Sequence, residues 1–383
     1  MTPPPGSDFL GKVCQLRRAL YEMKQAPRAW FAKFSTALLQ YGFSASPYDF
    51  VLFIRRSPAG IIILLLYVDD MVTTGDDTSG ISDLQTYLHR HFDMKNLGQL
   101  HYFLGLEISD APDGIYLSQA KYASDFISRL GLNDSQIVST PLEGNCRLAP
   151  FDGTPLEDPS RYRQLGGSLI YLTVTRPDIA HAVHVIAQFM ANPRTVLYAA
   201  VLSILHYVKG TLPHGLHFFA DSPLVLAGFS DVDWVGDPTN CFFITGYCFF
   251  LRSSLVSWRN KKQTLVSRPS VESEYRAVAD STSELLWLRQ LLSNLRVPQP
   301  SSTSLHYDST SAIQISHNDV FHERTKHIEI DYHFVRQHVR ASTVHLSYVS
   351  SEDQTVDIFT KYLFLGRFST LLSKLKLVSI LPP

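Results

Sequence analysis

Ile61 to Tyr67 is a run of seven residues without a charge, preceded by the turn signal Ser57-Pro58-Ala59-Gly60. A short apolar run bounded by such a turn predicts a strand buried on both faces rather than a helix. A second β-rich run, Phe50 to Ile54, lies before the turn, and Met71 to Thr74 follows as a short strand, so the three predict an antiparallel meander. Helical spacing frames it. Trp30, Phe31, Phe34, Leu38 and Leu39 form a stripe that opens after Pro27 and stops at Gly42, and Ile81, Leu84, Leu88 and Phe92 form another. Ser118 to Leu130 predicts a helix with Ser118 as N-cap and Tyr122, Phe126, Ile127 and Leu130 on one face. Asn133 to Pro159 is polar and reads as a linker or long loop. Beyond it three packed helices are expected up to Gly210, with His181, His184 and His206 as ordinary helix residues.

From Leu224 the pattern changes to strand, strand, strand, helix, strand, helix, strand, helix. The strands are Leu224 to Trp234, Ile244 to Leu251, Leu255 to Trp258, Ser304 to Tyr307 and Val344 to Val349. Ser270 is expected to cap a long helix with Tyr275, Val278, Leu285, Leu288 and Leu292 inward, and Glu352 to Asp357 to open the last helix.

With 383 residues, 45% of them hydrophobic, two or three domains with real cores are expected. The formal net charge of −1 announces no global field for nucleic acid, so such binding has to come from local patches. The four cysteines have no close pair and no metal-ligand spacing, which suits a reduced intracellular setting, cytoplasmic or nuclear rather than secreted. The N-terminus lacks an apolar signal core, and no run approaches the ~20 apolar residues that cross a bilayer. No membrane partner is expected.

Two groups of carboxylates stand out. Asp69 and Asp70 end the most apolar strand at a hairpin tip, where a pair of aspartates is usually a solvated turn. Set hard against a dry core they would repel and be costly to desolvate, and a divalent cation would be their natural partner. Asp231 and Asp308 end strands, while Glu274 and Asp357 sit in first turns of helices. The helix dipole accounts for the glutamate and Asp357 singly; alternatively, an open α/β sheet gathers its functional groups at strand ends, where crowded acids bind two divalent metals. Lys24, Gln25 and Arg28 supply donors at a helix entrance. Arg324, Lys326 and His327 make a local basic patch for phosphates, or an exposed charged loop. His322, His327 and His333 have no neighbouring cysteines and lack zinc-finger spacing.

The strings themselves carry a resemblance. LLLYVDDMVTTG resembles the palm hairpin of copia-type LTR retrotransposon reverse transcriptases, and LYEMKQAPRAWF is similar to the family's LYGLKQAPRAWF, with Glu22 where the family has Gly. FDMKNLGQLHYFLGLEI and TRPDIA resemble its palm-closing and thumb or connection segments, and by that likeness Lys95 assists the leaving pyrophosphate. GFSDVDW, VESEYRAVADSTSELLWL, YDSTSAI, VFHERTKHIEIDYHFVR and EDQTVDIFTK resemble the ribonuclease H domain of copia-type Pol polyproteins. The resemblance implies Asp69 and Asp70 as catalytic metal ligands, and Asp231, Glu274 and Asp308 as a metal triad with Asp357 the fourth acid. It runs from about Gly11 to about Lys361.

The family also has an upstream fingers region and a first palm strand whose aspartate joins the YVDD pair. Because the chain begins downstream of them, it is not expected to polymerise DNA alone. Ser309-Thr310, Cys241-Phe242-Phe243 and Tyr362 depart from the family's usual residues, as suits a decaying element copy. The expected fold is α+β and α/β: a partial reverse transcriptase palm (11–135), a helical thumb or connection (136–215), a ribonuclease H-like mixed sheet with flanking helices (220–361) and a C-terminal tail (362–383). The expected activity is hydrolysis of RNA in an RNA:DNA hybrid at a two-metal site using Mg²⁺ or Mn²⁺, with polymerisation lost. Partners are the hybrid or other nucleic acid and the missing fingers, palm or integrase portions of the polyprotein. The alternatives are a catalytically silent nucleic-acid-binding remnant and a misfolding fragment with an exposed sheet edge.

Overall fold

The computed structural model describes residues 24–132, 135–221, 223–234, 243–263, 270–317 and 328–379. The chain divides into two compact units, Met1–Gln99 and Leu100–Pro383. In the first, α1 (Ala26–Gln40) starts with Pro27, whose fixed φ suits a first turn. It ends before Gly42, which sits at φ +94°, a left-handed conformation that glycine adopts without a side-chain penalty. Strands β1 (Ser44–Ala45), β2 (Leu52–Ser57), β3 (Gly60–Tyr67) and β4 (Asp70–Gly75) then form the antiparallel sheet β1-β2-β3-β4. Helix α2 (Thr78–His91) is capped by Asp77, which accepts from the Gly80 N–H at 2.8 Å.

Phe34 and Leu38 of α1 and Leu84 and Leu88 of α2 close one core over Ile62, Leu64 and Leu66. Ile63 and Leu65 on the opposite face are only half-buried. The expectation that β3 is buried on both faces is therefore corrected: both helices pack on one side, and period-2 alternation decides which residues they cover.

In the second unit, β5 (Tyr102–Phe103), β6 (Leu106–Ala111) and β7 (Gly114–Ser118) lead into helices α3 (Ala120–Arg129), α4 (Pro159–Leu172), α5 (Ala180–Ala187) and α6 (Thr195–Gly210). There follow β8 (His214–Phe219), β9 (Leu226–Trp234), β10 (Phe243–Leu251), β11 (Ser254–Lys262), α7 (Ser270–Asn294), β12 (Thr303–Tyr307), α8 (Thr310–His317), α9 (Glu329–Arg340), β13 (Val344–Tyr348), α10 (Asp357–Thr360), α11 (Leu365–Lys374) and β14 (Leu377–Ser379). Two five-stranded sheets result. One is antiparallel, in the order β14-β8-β7-β6-β5; the other is mixed, β11-β10-β9-β12-β13, with β12 parallel to β9 and β13.

Several local expectations change. Ser118 is no N-cap: it is paired with Glu107 in the sheet, and α3 starts after Gln119 with no capping side chain. Ser270 lies inside α7 as its first residue. Glu352 and Asp353 form a turn, so the helix opens only at Asp357. The expected tail is folded as well: Phe368, Leu371 and Leu375 are buried, and β14 pairs with β8 across Leu377 and Leu216. Those three positions recur at helical spacing, a signal present in the sequence.

One face of the mixed sheet packs against α7, α8 and α9. Its other face contributes Cys248, Phe250 and Leu255 to a core shared with α3 to α6 and with Val356, Ile358 and Phe359. The sheet and the helical segment before it thus bury each other's apolar surface, and neither has a complete core alone.

Candidate active site

At the first acidic group, Tyr67 pairs with Asp70 and the hairpin turns through Val68 and Asp69. Val68 has φ +50°, a strained conformation for a β-branched residue. The expected burial does not occur. Tyr67, Val68, Asp69 and Asp70 are all exposed, because the core covered by the helices ends at Leu66, so desolvation places no demand for a cation on this pair. Lys24, Gln25, Arg28 and Lys95 are also exposed side chains. Arg324, Lys326 and His327 lie outside the described residues.

The second group is built differently. Asp231 is in β9 opposite Gly246 of β10 and is 4% exposed. In the parallel β9–β12 ladder Phe229 faces His306; continuing that register by two residues sets Asp308 beside Asp231. Glu274, on the second turn of α7, is half-buried, its backbone oxygen accepting from the Tyr307 hydroxyl at 3.0 Å. Asp357 opens α10, which lies against β10 because Gly246 has no side chain. A Cβ there would stand 2.5 Å from Thr360 Cγ2 and 2.6 Å from Val356 Cγ1, both on buried residues. Gly246→Ala is expected to push α10 off the sheet, costing about 1–3 kcal/mol in a thermal or urea melt, as overpacking does. Unchanged stability would mean that α10 does not depend on this contact.

Cations complete this cluster. Lys361 Nζ is 3.1 Å from Asp231 Oδ2 and 2.6 Å from Asp357 Oδ1, and Arg367 Nη2 is 3.0 Å from Asp357 Oδ2. The Thr360 hydroxyl donates to Asp231 at 3.4 Å, and the Ser351 hydroxyl to Asp308 at 3.3 Å. Burial pushes the Asp231 carboxyl up to about 8; Lys361 opposes this, while Asp308 and Asp357 add to it. Burial also raises Glu274, against a hydrogen bond from Ser309, with repulsion from Asp308 in the same direction as burial. Asp231 is thus repelled by Asp308 and Asp357, and Glu274 by Asp308.

Their oxygen donors suit a hard divalent cation. Among the described residues, no group of three or more His, Cys, Asp or Glu side chains is placed so that it could hold a metal ion as it stands. The fit is one of donor chemistry, with protein cations compensating Asp231 and Asp357.

Comparison with known proteins agrees with the strings. Residues 1–144 match the family model described as reverse transcriptase (RNA-dependent DNA polymerase). The whole chain aligns at 39% identity with the retrovirus-related Pol polyprotein from transposon RE1 of Arabidopsis thaliana. The chain belongs to the copia-type retrotransposon Pol family. It spans about a quarter of that relative, 26% of its length. Among solved structures, this Pol segment resembles a foamy viral protease-reverse transcriptase in complex with double-stranded DNA, covering 85% of this chain and 49% of that one at 10% identity and TM-score 0.45. It also resembles an N-terminal RNase H domain from Mycobacterium tuberculosis, covering 39% of this chain and 97% of that one at 13% identity and TM-score 0.27. The Pol segment is a mixed α+β protein, and among its described residues no helix is long and apolar enough to cross a membrane.

Sequence reasoning missed Thr360 and Arg367, took Ser309 only as a departure from the family's usual residues and gave Lys361 no role. Lys361 stands four residues after Asp357, a spacing that sets two side chains on one helical face, so that pair was detectable. Arg367 lies on the next helix, and no local pattern points it at Asp357.

Proposed function

We propose that this Pol segment hydrolyses the RNA strand of an RNA:DNA hybrid at Asp231, Glu274, Asp308 and Asp357. The observation that supports this reading is the buried Asp231, bridged to Asp357 through Lys361 and repelled by Asp308 and Asp357, with Glu274 repelled in turn by Asp308. Two divalent ions, Mg²⁺ or Mn²⁺, would supply water activation and charge stabilisation at the phosphodiester when bound. The chain's part is to hold oxygen ligands in place: Ser309 orients Glu274, Ser351 orients Asp308, and Arg367 fixes one oxygen of Asp357. Arg324, Lys326 and His327 would meet the hybrid's phosphates.

The test is cleavage of a labelled hybrid by the full chain in Mg²⁺ or Mn²⁺, beside Asp308→Asn. Cleavage by wild type that falls to background in the variant is expected. The silent-remnant reading draws its support from Asp357, both of whose oxygens are already paired with protein cations. Hybrid binding with equal inertness of wild type and variant would establish that reading instead.

For the first unit we propose reverse transcriptase ancestry without polymerisation by this segment alone. Asp69 and Asp70 stand exposed at the hairpin tip, whereas Asp231 is 4% exposed. Primer extension that disappears in Asp69→Asn would refute this. We place the limits of the evolutionary modules near 135, 215 and 361, and limited proteolysis is expected to cut close to them.

A further inference from the structure

Asp231 and Asp357 share one cation, and the chain itself provides it. Lys361 Nζ touches both carboxylates, at 3.1 Å and 2.6 Å. Its place is set locally: the Lys361 N–H donates to the Asp357 backbone oxygen at 2.9 Å, so the helical path carries the ammonium back over Asp357. It is also set by packing, since α10 reaches Asp231 only by lying on Gly246. The two carboxylate side chains are 5% and 8% exposed, whereas that of Lys361 is 30% exposed. A compact ammonium on a flexible stem with a face toward solvent can neutralise buried acids and can also withdraw. Arg367 differs: its guanidinium also donates to the Ser351 and Glu352 backbone oxygens, which anchors it.

We propose that Lys361 is a built-in counter-cation of the acidic site, a positioning residue that must swing out before a divalent ion could use the oxygens of Asp231 and Asp357. The inference rests on the two-metal reading above. An ammonium and a divalent ion in contact with the same oxygens repel strongly, so one excludes the other. A divalent ion at Asp231 and Asp357 would have to outcompete the lysine, whose ion pairs are with those two acids rather than with Glu274 or Asp308. Lys361 thereby separates the two metal affinities and keeps the acids together before metal arrives.

The experiment is calorimetric titration of Mn²⁺ into the full chain as wild type, Lys361→Met and Lys361→Arg. Wild type is expected to bind two ions with separated affinities. Lys361→Met tightens the weaker site by about tenfold or more, the effect of removing a unit charge at contact distance, and Lys361→Arg leaves it weak. Identical titrations of wild type and Lys361→Met overturn the inference while leaving the metal site standing. Folded wild type that takes up no Mn²⁺ overturns the two-metal reading and the inference together. A measurement on wild type needs no variant to fold: Mn²⁺ should increase acylation of Lys361, read by mass spectrometry. Labelling that Mn²⁺ leaves unchanged or lowers also refutes displacement.

Discussion

Asp231→Asn should make the metal-free protein more stable at pH 9 than wild type, while hybrid cleavage falls to background. Burial pushes the folded-state carboxyl up to about 8, far above the value near 3.9 of an unfolded chain. Between those values the folded state holds a proton that the unfolded state has lost. By linkage, this group's favourable contribution is present at low pH and is lost as pH rises through that window, by up to about 1.4 kcal/mol per pH unit. Asparagine resembles the protonated carboxyl in shape and cannot ionise. Wild type and variant should therefore match near pH 4 and diverge progressively to about pH 8, with the variant more stable. Urea melts of the full chain in chelator at several pH values provide the check. Parallel loss of stability in both proteins would show that Asp231 is not the group responsible. A variant that gains stability and loses cleavage would mark Asp231 as a residue kept for chemistry at the expense of the fold.

The largest loss of stability is expected from Arg176→Met. Arg176 and Asp178 are a buried, bidentate pair at 2.9 and 2.7 Å, with side chains 2% and 0% exposed. Arg176 also donates to the Thr211 backbone oxygen at 2.9 Å and its hydroxyl at 2.6 Å, and Tyr207 donates to Asp178 at 2.7 Å. Burial alone would raise the Asp178 carboxyl, but its pairing with Arg176 and Tyr207 holds it below the ordinary value. This network ties the turn before α5 to the end of α6. Removing the guanidinium leaves a buried carboxylate short of its partner, which costs about 3–5 kcal/mol. Arg176→Met with Asp178→Leu should recover much of that loss, because the uncompensated charge goes too. A double variant as unstable as the single one would argue that hydrogen bonds to Thr211 dominate. Since α5 shares a core with α10, the single variant should also weaken cleavage through Asp357.

This pair explains the string TRPDIA without any contact to substrate. Its recurrence was visible as a resemblance, but only the packing of α5 against α6 reveals that Arg176 and Asp178 are inside. The reverse holds at Asp69 and Asp70: the string YVDD was legible, and the expectation of a dry setting failed because burial ends one residue before Tyr67.

What the sequence by itself determined is what depends on near neighbours. The apolar run of β3, the stripes of α1 and α2, the strands β9 to β13 and the family strings all follow from residues within one turn or one hairpin. Only the tertiary structure decided the rest. The partner of β14 is β8, well over a hundred residues earlier, and the sharing of one core by α3 to α6 with the mixed sheet has no local signature. The same is true of Asp231: its burial and its contact with Lys361 exist because α10, from the far end of the chain, lies on Gly246. Secondary structure answers to local periodicity and turn chemistry, whereas the charge state of a carboxylate answers to whatever distant groups exclude water from it.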